Sequence, residues 1–223
     1  MENIFSHKSL ADHIAQDLEE KIIAGALKPG ARIIEETLCK TFDVSRSPVR
    51  EALRILESQG FVHREPRKGV SVTTTTRKEA EDIYRIRAGL ESLATHLAVE
   101  NQDRAVLKKL KEIHHKMAEH ANKGNVTAYF NLNLKFHETL VNASKNKRLI
   151  QMIEMFVKQT KRYRIEVLKI PDRLKASIEN HEAIIQSFEA GDAKQAEYLR
   201  KSTILRNIRM FSEIFTEEEK NAD

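Results

Sequence analysis

The chain has 223 residues, of which 40% are hydrophobic and 32% charged, a balance that excludes a disordered chain and provides for a buried core. Its 38 Lys and Arg against 33 Asp and Glu make it mildly basic, which permits nucleic-acid binding without requiring it. Seven Gly, four Pro and one Cys argue against an all-β fold and exclude a disulfide framework. The sequence lacks a signal-peptide pattern and the roughly 18–20 apolar residues of a membrane helix, so we expect a mainly α, cytoplasmic protein with no membrane partner.

The first third of the chain predicts two helices, a turn, a third helix and a β-hairpin. A helix over about residues 10–24 is indicated by apolar residues that recur with a helical period, at Leu10, Ile14, Leu18 and Ile22. A second helix is expected over about 34–42, and Ser45 is expected to cap a third. Residues 61–63 and 70–73 are predicted to form two strands on either side of a basic turn. This order of elements predicts a winged helix-turn-helix.

Charge indicates which surface of this unit would meet DNA. Residues 1–43 carry five basic and eight acidic side chains, whereas residues 44–76 carry six basic and three acidic ones. Three arginines on the third helix recur at every fourth position and so share one face: Arg46, Arg50 and Arg54. Arginines placed in this way can contact guanine in the major groove, and the hydroxyls of Ser45 and Ser47 can contact phosphates. A solvated arginine face on an ordinary helix is the alternative.

A β-branched, polar run at residues 70–76 indicates a strand that passes into a linker. We therefore predict a winged helix-turn-helix DNA-binding domain with linker at 1–76 and a helical effector-binding and dimerisation domain at 77–223. The second domain is expected to contain helices at about 77–100, 103–122, 125–143, 146–169, 173–190 and 192–215. Because their connections are short, we expect an antiparallel all-helical bundle.

Polar residues interrupt the apolar stripes of four of these helices. The stripes run from Ile83 to Leu97, from Phe130 to Val141, from Leu174 to Phe188 and from Ala196 to Ile214. The inward polar residues are Arg87, Asn133, His137, His181 and Thr203. A buried polar group without a partner is costly, so these side chains should meet one another or a ligand in a central cavity. The alternative for each histidine is a core residue satisfied by its neighbours. The remaining histidines of this domain are interpreted as surface residues: His96, His114, His115 and His120.

The segment 45–62, the upstream segment 23–30 and the wing residues 67–70 together resemble the GntR superfamily of bacterial transcription regulators. Joined to a helical domain, they resemble its FadR-like subfamily, which has an FCD-type effector domain. The resemblance implies DNA contacts on the third helix and the wing tip, at Ser45, Arg46, Ser47, Arg50, Lys68 and Gly69. Near the start of the second helix, where some relatives have a basic residue, this chain has Glu36.

The resemblance also implies a metal site, because FCD-type domains hold a divalent ion with an Asp-x-x-x-His pair and two later histidines. His137 and His181 match two of these ligands, while Asn133 and Thr203 stand at the positions of the Asp and the last His. Neutral oxygens are weaker ligands for such an ion, so a weak Zn²⁺, Ni²⁺ or Mn²⁺ site and no metal at all both stay open. Arg87 also matches the family and is predicted to pair with an anionic effector.

The leading functional prediction is a ligand-responsive transcription regulator. A repressor is favoured, because release of DNA by the effector is the commoner behaviour in the family. It would bind a palindromic double-stranded DNA operator as a homodimer and respond to a small, carboxylate-type metabolite. A second hypothesis is an architectural DNA-binding protein whose helical domain only dimerises. A small metal-dependent enzyme built on His137 and His181 is the third, but the sequence offers no nucleophile–base pair or carboxylate dyad at convincing spacing, so we expect no enzyme.

Overall fold

The computed structural model describes residues 9–170, 172–211 and 215. The chain divides into two compact units, Met1–Thr76 and Arg77–Asp223. The first is a winged helix-turn-helix and the second a helical bundle, so the predicted mainly α architecture is confirmed. None of the described helices has an apolar stretch of the length and purity that a membrane span requires.

The first unit is built from three helices and a small antiparallel sheet. Its elements are α1 (Leu10–Ile23), β1 (Arg32–Ile33), α2 (Glu35–Phe42), α3 (Arg46–Ser58), β2 (Val62–Glu65) and β3 (Gly69–Val72), with the strands in the order β1-β3-β2. The core joins α1 to α3 through Ile14, Leu18, Leu53 and Leu56. Leu10, expected on the buried stripe of α1, is instead 53% exposed, because the apolar face begins with Ala11 one position later.

The hairpin differs in detail from its prediction. The strands are longer toward the turn than expected, with Val62 opposite Val72 and Glu65 opposite Gly69. The turn is possible because Arg67 and Gly69 adopt the left-handed backbone conformation, with φ of 66° and 96°. Strand β1 was not predicted, since two residues carry no periodicity and this strand exists only through its pairing with β3.

The second unit contains seven helices in its described part: α4 (Arg77–Glu100), α5 (Arg104–Asn122), α6 (Val126–Ala143), α7 (Lys147–Gln159), α8 (Lys161–Lys169), α9 (Arg173–Ala190) and α10 (Ala193–Ile208). Helix α4 is central and packs against α6, α7 and α10, while α5 packs against α6 and α9. Side chains that accept hydrogen bonds from backbone amides begin four of these helices, at Asp103, Asn125, Asn146 and Asp192.

Two predicted helices of this unit are wrong in extent. The helix expected at 146–169 is broken at Thr160, whose hydroxyl donates to the carbonyl of Phe156 and accepts from Nη1 of Arg87. A hydroxyl that bonds back to the preceding turn bends a helix, and the contact with α4 holds the bend. The helix expected at 192–215 ends at Ile208, and Ile214 of its predicted stripe lies outside the described residues.

Candidate functional site

The N-terminal end of α3 presents the side chains that were predicted to meet DNA. Ser45, Arg46, Ser47 and Arg50 are all exposed, while Val49, about a quarter-turn round the helix from the arginine face, is fully buried. Ser45 holds the N-cap position in an extended conformation, but its side chain accepts no capping hydrogen bond from the described backbone. The expected cap is therefore wrong in its chemistry, and the Ser45 hydroxyl stays available to an external group such as a phosphate.

A carboxylate at the start of α2 holds Arg50. Nε of Arg50 donates to Oε2 of Glu35 over 2.9 Å, and Nη1 of Arg64 on β2 lies 3.6 Å from the other oxygen of the same carboxylate. The hydrogen bond from Arg50, opposed by partial burial and supported by the charge of Arg64, lowers the pKa of Glu35. Glu35 thus links the helix-turn-helix to the wing and is ionised at neutral pH.

The wing tip is exposed and basic. Lys68 lies in the turn between β2 and β3, with its Nζ 2.7 Å from Oε2 of Glu65, and Gly69 beside it is also exposed. Because this ion pair lies in solvent, it contributes little to stability and a phosphate could replace the carboxylate. The structure therefore offers Lys68 as an exposed cation at the end of the hairpin.

The second unit encloses a small cavity among α4, α6, α8, α9 and α10, with a volume of about 60 Å³. All five predicted effector residues line it: Arg87, Asn133, His137, His181 and Thr203. On this scale a water molecule requires roughly 10–15 Å³, so the cavity has room for several waters or a small ligand. Four further arginines, which the sequence reading did not place here, line it as well: Arg164, Arg173, Arg200 and Arg206.

Arg87 and Arg200 are tied together by one buried carboxylate. Nε and Nη2 of Arg87 each lie 2.8 Å from Oε1 of Glu91, and Nη1 donates to Oγ1 of Thr160 over 2.9 Å. Arg200 donates through Nη2 to Oε2 of the same Glu91. Glu91 is therefore the ion-pair partner of both arginines.

The two cavity histidines face each other beside Arg200. Their Nε2 atoms lie 3.1 Å apart, and Nη1 of Arg200 lies 3.1 Å from Nε2 of His137. A guanidinium only donates, so Nε2 of His137 must accept. Nδ1 of His181 donates to the carbonyl of Ser177, which leaves its Nε2 unprotonated too. Both Nε2 atoms therefore act as acceptors, so no hydrogen bond joins the two rings although these atoms lie 3.1 Å apart.

Burial and the arginine charges set the protonation of this cluster. Burial, then Arg200, lower the pKa of His181 to about 3 and that of His137 well below its usual value, so both rings are neutral at pH 7. Burial would raise the pKa of Glu91, but the charges of Arg200, Arg87 and Arg164 lower it to about 2. Burial, then the charge of Arg87, lower the pKa of Arg164 to about 9. The cluster is strongly positive.

Among the five predicted effector residues, three buried polar atoms have no hydrogen-bond partner within the described part of the chain: Oδ1 of Asn133, Nδ1 of His137 and Oγ1 of Thr203. Buried polar atoms are almost always paired in folded proteins. Their placement around one cavity is what a site for a polar ligand, or for ordered water, requires.

The donor set does not fit a divalent ion. No Asp or Glu is among the described lining residues, and no group of three His, Cys, Asp or Glu side chains in the described structure is arranged to hold a metal. The lone pair of His137 that would bind the ion is used by Arg200, and its guanidinium charge would repel a dication. Asn133 and Thr203 offer only neutral oxygens in exchange.

Arg200 and Arg164 were missed because arginine is normally a surface residue. For Arg200 a signal existed, since it lies four residues after Ala196 and four before Ile204, both of which are buried on the inner face of α10. Arg164 lies after the break at Thr160, so its orientation did not follow from the continuous helix that was predicted. Of the histidines interpreted as surface residues, His114 is only 14% exposed and pairs with Glu182, whereas His115 is 79% exposed.

Two family models match the chain. Residues 10–72 match the model described as bacterial regulatory proteins, gntR family, and residues 82–204 match that of the FCD domain. The HTH-type transcriptional regulator McbR of Escherichia coli (strain K12) is 31% identical over 205 residues, which span 91% of this chain and 92% of McbR. The solved structure of E. coli McbR/YncC has a TM-score of 0.77 at 27% identity and covers 94% of this chain and 100% of its own.

Two relatives from Bacillus subtilis (strain 168) are also similar. The uncharacterized HTH-type transcriptional regulator YdhC is 41% identical over 138 residues, which span 61% of this chain and 62% of YdhC, less than two thirds of its length. The gluconate operon transcriptional repressor is 31% identical over 195 residues, which span 84% of this chain and 79% of the repressor.

Proposed function

The chain belongs to the gntR family of bacterial regulatory proteins and carries an FCD effector domain, so it is a transcriptional regulator and not an enzyme; from this we propose that it represses transcription by binding a palindromic operator as a homodimer. A small anionic metabolite would bind the cavity of the helical unit and release the operator. A protein that binds chromosomal DNA works in the cytoplasm, which is the location we propose.

The observation that carries the DNA-binding part is the exposed end of α3. Arg46 and Arg50 are exposed on one face, the hydroxyls of Ser45 and Ser47 lie at the helix start, and the adjacent face is anchored in the core by Val49. We propose that the two arginines contact base edges and the two serines contact phosphates. Lys68 and Gly69 of the wing would follow the adjacent backbone.

The effector part is supported by the cavity. Arg87, Asn133, His137, His181 and Thr203 all line it, and among its described lining residues the charged side chains are arginines alone. A cavity lined by arginines favours an anionic ligand. A repressor role is favoured by the similarity to the gluconate operon repressor.

A homodimer is supported by apolar side chains that the single chain leaves exposed. Ile86 and Leu93 on α4 and Met152 and Met155 on α7 are between 38% and 48% exposed, and these two helices pack together. Exposed apolar surface of this kind is what an interface between copies buries. Two copies related by a two-fold axis would present two α3 helices to a palindrome.

The proposal is tested by selecting bound duplexes from random DNA with the full chain and then measuring fluorescence anisotropy at fixed salt. A two-fold symmetric motif bound by one dimer is the expected result. If no motif is selected, the proposal that α3 recognises bases is contradicted. The architectural alternative is separated by thermal shift with small carboxylates, with and without Zn²⁺ or Mn²⁺. Only a protein with a ligand site is stabilised by mass action.

A further inference from the structure

The wall of the cavity in the helical unit carries an uncompensated positive charge. Arg87, Arg164 and Arg200 are buried, and within the described structure Glu91 is the carboxylate that pairs with two of them, Arg87 and Arg200. This leaves an excess of two positive charges, and a proton on either cavity histidine would only add to it. Burying a charge without a counterion is strongly unfavourable, so the folded unit gains free energy from an anion of matching charge.

The contacts of each guanidinium show which arginines are available to such an anion. Arg87 uses its three nitrogens on Glu91 and Thr160, and Arg200 is bonded to Glu91 and His137. In contrast, no hydrogen bond joins the guanidinium of Arg164 to any described residue, although it is buried and lines the cavity. Nε of Arg173, another lining residue, is also without a partner in the described structure, while its Nη2 donates to Oδ1 of Asn207.

Arg200 lies beside the two cavity histidines. Its Nη1 lies 3.1 Å from Nε2 of His137, and this histidine and His181 face each other at 3.1 Å. The arginine thus provides a fixed positive charge next to both imidazoles. Because the charge belongs to the chain, an anion can bind beside it without a metal.

We propose that this cavity binds a small oxyanion with two negative charges, of the dicarboxylate or phosphate class, and that it does so without a metal. Arg164 and Arg173 receive the oxyanion, the hydroxyl of Thr203 donates a further hydrogen bond, and Arg200 supplies the charge beside His137. The inference deepens the proposed function, since it gives the chemistry of the effector. It concerns binding alone and does not require that binding alters DNA affinity.

The charge of the ligand is tested on the full chain in the presence of EDTA. Malonate, succinate and hydrogen phosphate are titrated by calorimetry, together with the monoamides of the two diacids, which keep the size and lose one charge. At least one dianion should bind at least tenfold more tightly than the monoamides. Whether a dicarboxylate or phosphate binds more tightly shows to which of the two classes the ligand belongs. Failure of every dianion to bind, or equal binding of a diacid and its monoamide, overturns the proposal.

Arg164→Gln tests the assigned contact. This variant should weaken binding of the best dianion at least tenfold and should raise the melting temperature of the unliganded protein, because it removes one of the excess buried charges. Lys201→Gln, which removes a charge from the exposed side of α10, should do neither. A lowered melting temperature with unchanged binding would show that Arg164 is structural and would overturn its role.

The same titrations separate this inference from the proposed function. If a dianion binds but leaves operator affinity unchanged, the dianion is not the effector, although the inference about binding holds. Release of the operator by a neutral or cationic metabolite, with no dianion binding, would overturn the inference while the chain remains a ligand-responsive regulator.

Discussion

Glu35 at the start of α2 accepts a hydrogen bond from Nε of Arg50 over 2.9 Å, so an acidic residue holds the central arginine of the proposed DNA-reading face. Arg50 is still 57% exposed in this pair. Phosphates near α3 would compete with the carboxylate for the arginine, whereas a guanine edge can be contacted by the two Nη atoms while Nε stays on Glu35. The pair therefore favours base contact over a loose phosphate contact.

We predict that Glu35→Gln lowers the ratio of operator to random-DNA affinity, by up to about fivefold, the scale of an exposed ion pair. Glu36→Gln is the matched control, because Glu36 pairs with Lys40 on its own helix and not with α3. Both variants remove one negative charge and should strengthen binding to random DNA at low salt. Equal changes in the ratio for the two variants, measured by anisotropy, would show that Glu35 acts through its charge alone.

Arg50→Ala should weaken operator binding roughly tenfold to a hundredfold and remove discrimination at one base pair in each half-site, because a bidentate contact is lost. Affinity is measured for the operator and for every single substitution in one half-site. Lys109→Ala, which removes an exposed charge from α5, is the control for net charge. Equal weakening on operator and random DNA would identify Arg50 as a phosphate contact instead.

Lys68→Ala should weaken binding to all DNA sequences by a similar factor and reduce the salt dependence of affinity by about one released counterion. The measurement is the slope of log affinity against log salt concentration for operator and random duplexes. A slope equal to that of the wild type would mean that the wing does not lie on the duplex.

The DNA-binding unit was predictable because its signals are local. The turn at Asp43, the start of α3 at Ser45 and the alternating basic and apolar faces of α3 all lie within about one helix length of sequence. The predictions that failed concern features that depend on partners distant in the sequence or on the folded backbone. Strand β1 exists only through pairing with β3, and the Ser45 hydroxyl was assigned a capping bond that the folded backbone does not make.

The helical unit was predictable in its elements but not in the chemistry of its cavity. Helical period placed Arg87, His137 and His181 on inward stripes, and the structure brings them to one cavity. The break at Thr160 depends on Arg87, which is 73 residues away, and so could not be read from the local sequence. Arg200 was missed because the sequence does not show its buried partner, Glu91 on α4, without which an arginine is expected at the surface.

Glu91→Gln should destabilise the protein by about 3–5 kcal/mol, because it leaves Arg87 and Arg200 buried without a counterion. The free energy of unfolding is measured in urea. Glu100→Gln on the same helix is the control, since Glu100 is 57% exposed and should change stability by at most about 0.5 kcal/mol. If Glu91→Gln were as mild as its control, the buried charges of Arg87 and Arg200 would be compensated by something other than Glu91.

Restoring metal ligands tests whether Arg200 excludes a metal. Asn133→Asp together with Thr203→His adds two strong ligands to the cavity that already contains His137 and His181. With Arg200 present, the new carboxylate should pair with the guanidinium and zinc affinity should not rise. When Arg200→Ala is added, affinity should rise by about tenfold or more, because both imidazole lone pairs become available.

Calorimetric titration of Zn²⁺ into the wild type, the double variant and the triple variant measures this, with circular dichroism to establish that each is folded. The Arg200→Ala single variant separates removal of the guanidinium from addition of ligands, and it should bind zinc more weakly than the triple variant because it has only two strong ligands. Equal gains in the double and triple variants would show that Arg200 does not block the ion. Tight stoichiometric binding by the wild type would show that two imidazoles and two neutral oxygens hold zinc in spite of the neighbouring arginines.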